Sequence, residues 1–204
     1  MPKIVDHEER RAELAAAVWL LASRDGLESV TIRAVAAQAG WSTGALNHYF
    51  KHKEELLVFA FQTVADRVGR RMTAVTAQAK EPADPLQALI AEALPLDAER
   101  RAEVRVWFAF LGLALTRPVL ARAQRVAYRA WRGALAARLR EAQERGEIAA
   151  EIDPEVEAIE LVAFTDGLSV QASFEPRALP AARMLELLDE RLGRIRAGGR
   201  RTTR

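Results

Sequence analysis

An all-α fold is what this sequence predicts, and three observations predict it. Apolar residues recur at three- and four-residue spacing along most of the chain. Half of the 204 residues are hydrophobic, Ala and Leu dominate them, and β-branched runs are scarce, which favours helix over strand. Breakers at Gly26, Gly40, Pro95, Pro118, Gly146 and Pro176, with Pro85 and Pro154 at helix starts, divide the pattern into about nine helices.

Asp6 with Glu9 is a capping-box-like start after a short arm, Met1 to Val5. The first helix then runs to about Arg24, with Leu14, Ala17, Val18 and Leu21 on one stripe, and Asp25-Gly26 stops it. Thr31 caps a short second helix in which Ile32, Val35, Ala36 and Ala39 share a face, and Gly40 turns the chain. Ser42 caps a third helix whose inward residues are Leu46 and Phe50. Lys53 opens a long fourth helix to about Thr76, with Leu57, Ala60, Phe61, Val64 and Val68 in register. Lys80 to Pro85 is a break, and Asp84-Pro85 starts a helix to about Leu94. Asp97 caps the next, to Leu115, whose apolar residues lie on all sides and predict burial nearly all round. After Thr116-Arg117-Pro118 a long helix reaches about Arg145 with Trp131, Leu135 and Leu139 inward, and Gly146 closes it. Asp153-Pro154 caps a helix to about Phe174. In the last helix Leu185, Leu188, Leu192 and Ile195 repeat as a seam such as two packed helices share. The tail from Gly198 is arginine-rich.

Composition excludes several chemistries. There is no cysteine, hence no disulfide, Cys-ligated zinc or thiol nucleophile. No phosphate-binding Gly-rich loop, His-Glu-x-x-His or nucleophile elbow occurs, so no enzyme and no cofactor is expected. His48 and His52 stand four apart, but the third helix ends between them and no third ligand is in view, so metal binding is not expected. The N-terminus is charged and no segment approaches ~18 apolar residues, which predicts a cytoplasmic protein without membrane association.

Net charge is only +2, but its distribution carries information. From Ser29 to Lys53 there is no acidic residue, while Arg33, Lys51 and Lys53 are basic. The third helix leaves Thr43, Gly44, Ala45, Asn47, His48 and Tyr49 outward or at the rim, a surface small enough to lie close to a partner and polar enough to hydrogen-bond it. Two short helices, a tight turn and an acid-free basic-shouldered face are what a duplex major groove and its phosphates require.

The run Thr-Ile-Arg-x-Val-Ala-x-x-Ala-Gly-x-Ser-x-Gly-x-Leu-x-x-Tyr-Phe-x-x-Lys-x-x-Leu, from Thr31 to Leu56, resembles the signature of the TetR family of bacterial repressors. That resemblance implies a helix-turn-helix DNA-binding domain over residues 1–52 and a helical effector-binding and dimerisation domain over 53–204. It places Tyr49 and Lys53 on phosphates, with Thr31 and Arg33 gripping the backbone, while Thr43, Asn47 and His48 face base edges, Gly44 and Ala45 give close approach, and Ser42 caps the reading helix. It further implies a homodimer formed by the last two helices. Val156, Ile159, Ala163 and Gly167 are the expected contributors from the first, and Leu185, Leu188, Leu192 and Ile195 from the second. A palindromic operator matches that symmetry. Relatives hold a small-molecule effector among the middle helices, where Phe61, Trp107, Phe108, Phe110, Trp131, Phe164 and Asp166 are the candidates here; core packing is the competing assignment for each aromatic. The pattern from Trp107-Phe108 through Thr116-Arg117-Pro118 to Tyr128 and Trp131 resembles the BetI-like branch, whose namesake responds to choline, and an aromatic cage with one acid suits such a cation. The function expected is a ligand-released, homodimeric transcriptional repressor. A helical interaction protein whose basic face docks an acidic partner is the alternative.

Overall fold

The computed structural model describes residues 7–78 and 84–198. Among them are nine α-helices, one 3-10 turn and no strand. The cap expected at Asp6, the break at Lys80 to Ala83 and the arginines beyond Gly198 lie outside the described residues. The helices are α1 (His7–Asp25), α2 (Ile32–Ala39), α3 (Thr43–Tyr49), α4 (Lys53–Gln78), α5 (Pro85–Ala91), α6 (Ala98–Ala114), α7 (Pro118–Glu144), α8 (Pro154–Phe174) and α9 (Ala181–Gly198). They divide into two compact units, Met1–Arg67 with Arg105–Gln124, and Val68–Val104 with Arg125–Arg204. The division cuts within α4, α6 and α7, each of which contributes residues to both units.

In the first unit, α1 buries the expected stripe of Leu14, Ala17, Val18 and Leu21. It stops at Gly26, whose φ of 82° suits only glycine. A 3-10 turn, Leu27–Ser29, follows; Ser29 Oγ closes it by donating to the Gly26 carbonyl at 2.7 Å and the Leu21 carbonyl at 3.1 Å. Its three residues carry too little periodicity to announce it. Val35 and Leu46 from the two short helices, and Leu56, Phe59 and Phe61 from α4, complete this core.

In the second unit, the core joins Leu86, Leu89 and Ile90 of α5, Leu135 and Leu139 of α7, Leu161 and Leu168 of α8, and Leu188, Leu192 and Ile195 of α9. Asp84 caps α5 by accepting from the Leu86 N–H at 3.0 Å, with Pro85 in the first turn, but the helix ends at Ala91 rather than Leu94. Asp153 caps α8 the same way, accepting from Glu155 N at 2.8 Å. Between α7 and α8, the Gln143 amide donates to the carbonyls of Ala149 and Ile152, both at 2.8 Å.

A buried ion network fastens the end of α4 to α5 and α6. Arg71 donates to both oxygens of Glu103, at 2.7 and 2.5 Å, and through Nε to Glu92 at 2.9 Å. Arg100 completes it by donating to the other Glu92 oxygen at 2.6 Å. Both carboxylates are buried, and their hydrogen bonds, Glu103 first, hold the Arg71 guanidinium far above its ordinary range against the opposing pull of burial.

One expectation for α6 fails. The helix is not buried all round, because Ala109 and Gly112 are exposed and Leu115, just past its end, is 81% exposed. Apolar residues on every side of a helix do not by themselves supply neighbours on every side.

Candidate nucleic-acid interface

The two short helices are built from local signals. Thr31 Oγ1 accepts from the Ala34 N–H at 3.2 Å and caps α2. At its other end Gly40 adopts φ 71°, and a Schellman pair follows, Gly40 N–H to Ala37 O at 3.3 Å and Trp41 N–H to Ala36 O at 2.8 Å. Two residues later Ser42 Oγ accepts from Ala45 N–H at 3.1 Å and starts α3. Gly40→Ala is therefore expected to destabilise the chain by about 1–2 kcal/mol through backbone strain. An added Cβ there meets nothing within 4 Å, so no clash contributes. Chemical denaturation would measure it.

Leu46, fully buried, and Phe50, 8% exposed, anchor α3. Thr43, Gly44, Asn47, His48 and Tyr49 stand exposed and Ala45 is half-buried, as the sequence predicts for an outward face. Phe50, in extended conformation, ends α3 between His48 and His52. Arg33 and Lys53 are exposed on the flanking helices. The α3–α4 connection is fixed by Glu55, whose carboxylate accepts from the Lys51 N–H at 2.7 Å and so sets where Lys53 begins α4.

The sequence reading missed the residues that hold this face in place. Trp41, in the turn, donates its indole N–H to Glu13 of α1 at 3.2 Å and lies under the Arg10 guanidinium, 5.4 Å from ring centre. The Tyr49 ring meets Trp41 edge-on at 5.5 Å and 62°. Tyr49 is thus positioned by an aromatic contact that α1 itself orients. The available signal was a tryptophan in a turn, whose N–H needs an acceptor when packed.

The effector candidates fall in both units. In the first, Phe61 stacks on Phe110 at 4.0 Å and 13° and tilts against Trp107 at 5.2 Å, with Phe61 and Phe110 fully buried and Phe108 half-buried. The rings of Trp107 and Phe110 both pack against Phe61. In the second, Trp131 and Phe164 are half-buried against the core cluster. Asp166 accepts a hydrogen bond from the Tyr128 hydroxyl at 2.7 Å. Burial pushes the Asp166 carboxyl above its ordinary range, and the Tyr128 bond partly opposes the rise. One turn along α8, Ser169 Oγ is buried without a hydrogen-bond partner among the described residues.

The expected dimer residues separate sharply. On α8, Val156 and Ile159 are each 51% exposed, and Ala163 and Gly167 are exposed with them. Val170 and Phe174, the latter 83% exposed, extend the row at the same three- and four-residue spacing. On α9, by contrast, Leu188, Leu192 and Ile195 are buried in the chain's own core and Leu185 is half-buried. The leucine seam is therefore taken up within one chain. A 3-4-3 repeat identifies an apolar stripe but not the element that covers it.

Among the described residues no helix is long and apolar enough to cross a membrane. Residues 14–58 match the family described as bacterial regulatory proteins, tetR family, and residues 82–197 match the BetI-type transcriptional repressor C-terminal family. The chain is 34% identical over 176 residues to the transcriptional regulator PksA of Bacillus subtilis (strain 168), covering 86% of this chain and 84% of that one. It is 28% identical over 191 residues to the regulator BetI of Serratia proteamaculans (strain 568), covering 92% of each. A transcriptional regulator from Rhodococcus sp. Rha1 superposes with a TM-score of 0.77 at 34% identity, over 92% of this chain and 96% of that one. A protein from Saccharomonospora viridis, described as a transcriptional regulator and solved in complex with choline, superposes with a TM-score of 0.77 at 24% identity, over 90% and 95%. The capped helix pair, the all-helical remainder and these matches agree: the chain belongs to the TetR family of bacterial transcriptional regulators, with a BetI-type C-terminal domain, and is not an enzyme.

Proposed function

We propose that the chain is a homodimeric repressor that reads a palindromic operator with α3 and leaves it when a small organic effector binds. The observation that carries the DNA reading is the composition of the exposed face of α3. It offers Thr43, Asn47 and His48 beside Gly44 and Ala45, on a helix anchored from behind by Leu46 and Phe50. Short polar side chains between small residues suit close approach to base edges, and Asn47 presents the donor–acceptor pair that adenine matches. Tyr49, Lys53, Thr31 and Arg33 are assigned to phosphates. In this reading the DNA-binding domain is 1–52 and the effector and dimerisation domain is 53–204.

Asn47→Ala is expected to cost about 1–3 kcal/mol per half-site and to relax preference at one or two base positions. Lys53→Ala is expected to weaken all duplexes equally and to lower the salt slope by about one per half-site. Operators selected from a random pool, titrated in matched and mismatched form across a salt series, read both. Uniform loss with Asn47→Ala would remove α3 from the groove; duplex binding without steep salt dependence would favour an acidic partner instead.

For the effector, the Tyr128–Asp166 pair is the polar group assigned to ligand recognition, and the choline held by the Saccharomonospora viridis neighbour makes an organic cation the first compound to test. Choline is expected to raise the melting temperature and weaken operator binding over one concentration range, because binding and release are thermodynamically reciprocal. Asp166→Asn should blunt both effects while leaving operator affinity intact. Stabilisation by choline that survives Asp166→Asn would exclude this residue.

A further inference from the structure

From Val104 to Arg140 the chain has eight arginines, no lysine and no acidic residue. This concentration is not explained by reading DNA with α3. Arg138 and Arg140 bond to Glu141 and Glu155. Arg125, Arg129 and Arg132 of α7 take part in no ion pair or hydrogen bond among the described residues; Arg125 and Arg129 are exposed and Arg132 is half-buried. At 3.6 residues per turn their side chains leave the helix within an arc of about 60° and along about 10 Å of its length.

We infer that this arginine row binds the phosphate backbone of duplex DNA, as a contact surface separate from the helix-turn-helix. The chemistry of the face selects the partner. Guanidinium forks match phosphate in a bidentate geometry, and an unpaired row of them on one helix face calls for a partner with regularly spaced anionic charge. A duplex offers one charge per ~3.4 Å along each strand, so a row about 10 Å long meets about three phosphates. A protein groove or a lipid surface would need large apolar anchors beside the charges. The row is flanked by Val126, Tyr128 and Gly133, of which only Val126 is a largely exposed apolar side chain. A second copy does not supply the counter-charge through its acidic helix either, because in α8 Glu155 is held by Arg140, and Glu157 and Glu160 by Arg191.

The test uses the full-length chain carrying Tyr49→Ala and Lys53→Ala, which weakens the helix-turn-helix contacts, and a random-sequence duplex as probe. Adding Arg125→Ala, Arg129→Ala and Arg132→Ala should flatten the salt slope by about 2.7 per protomer, at about 0.9 per phosphate. Between about 50 and 200 mM salt, the arginine form should then lose about 40-fold more affinity than the alanine form. Alanine is the best helix former, so α7 is retained. The triple lysine form should keep the slope, which ties the effect to charge. An unchanged slope and affinity in the alanine form would overturn the inference. So would arginine-dependent binding to phosphatidylserine vesicles with duplex binding unaltered. Failure of the α3 reading is seen separately, as operator binding that Tyr49→Ala and Lys53→Ala leave intact.

Discussion

Ile159→Glu is expected to convert the proposed dimer into monomers at micromolar concentration without disturbing the fold of either chain. Ile159 is 51% exposed in the single chain, so a glutamate there meets water when the protein is alone. Across a two-fold interface the same substitution enters twice, since such an interface uses one patch on both subunits. Each buried, unpaired carboxylate costs several kcal/mol, so the pair costs about 6 kcal/mol or more. That raises the dissociation constant about four decades. Sedimentation at micromolar concentration reads the outcome, with circular dichroism as the control for folding. A wild-type chain that sediments as a monomer at that concentration would remove the dimer from the proposal. Leu188→Glu is no substitute, because Leu188 is fully buried within one chain and its replacement would unfold the protein whether or not it dimerises.

The second large effect concerns the ion network of α4, α5 and α6. Arg71→Met is expected to destabilise the protein by about 3–5 kcal/mol, the usual cost of removing one partner from a buried charge pair. Glu103, only 3% exposed, loses the guanidinium that bonds both its oxygens, and Glu92 loses one of its two arginines. Exposed pairs such as Arg24 with Asp25 show the contrast, because water already screens both members and removing them changes little. Following Arg71→Met with Glu103→Met should recover most of the loss, since well-packed apolar groups commonly match or exceed a buried ion pair. Urea denaturation of the two variants measures the cycle. If Arg71→Met costs under ~1 kcal/mol, the network is solvated in solution and does not fasten α4.

What the sequence made legible was whatever is decided locally. Thr31, Gly40 and Ser42 each act within four residues, and each is found as a cap or turn at its expected position. The outward set Thr43, Gly44, Asn47 and His48 follows from Leu46 and Phe50 being inward, again a matter of one helix. What was hidden depends on neighbours distant in the chain. Arg71 meets Glu103 across 32 residues, and no pattern in either segment announces the other. The leucines of α9 and the valine and isoleucine of α8 give the same periodic signal, yet the first are covered by α5, α7 and α8 of the same chain and the second are left bare. Periodicity measures how apolar a face is; burial also depends on which element arrives to cover it. Tyr128 was likewise noticed only as part of a family-like pattern, because its bond to Asp166 joins two helices 38 residues apart.

The turn between α2 and α3 has a consequence for how such a regulator changes over generations. Its geometry is closed by main-chain bonds of Gly40 and Trp41 and by the Thr31 and Ser42 hydroxyls, while α3 is pinned from beneath by Leu46 and Phe50. None of these groups belongs to the exposed positions 43, 44, 47 and 48. In the reading proposed above, substitutions at those positions alter which bases are recognised at little expense to folding, as surface changes away from caps and core usually stay within ~0.5 kcal/mol. Duplicated copies of such a gene can drift to new operators one residue at a time, each intermediate still a folded protein.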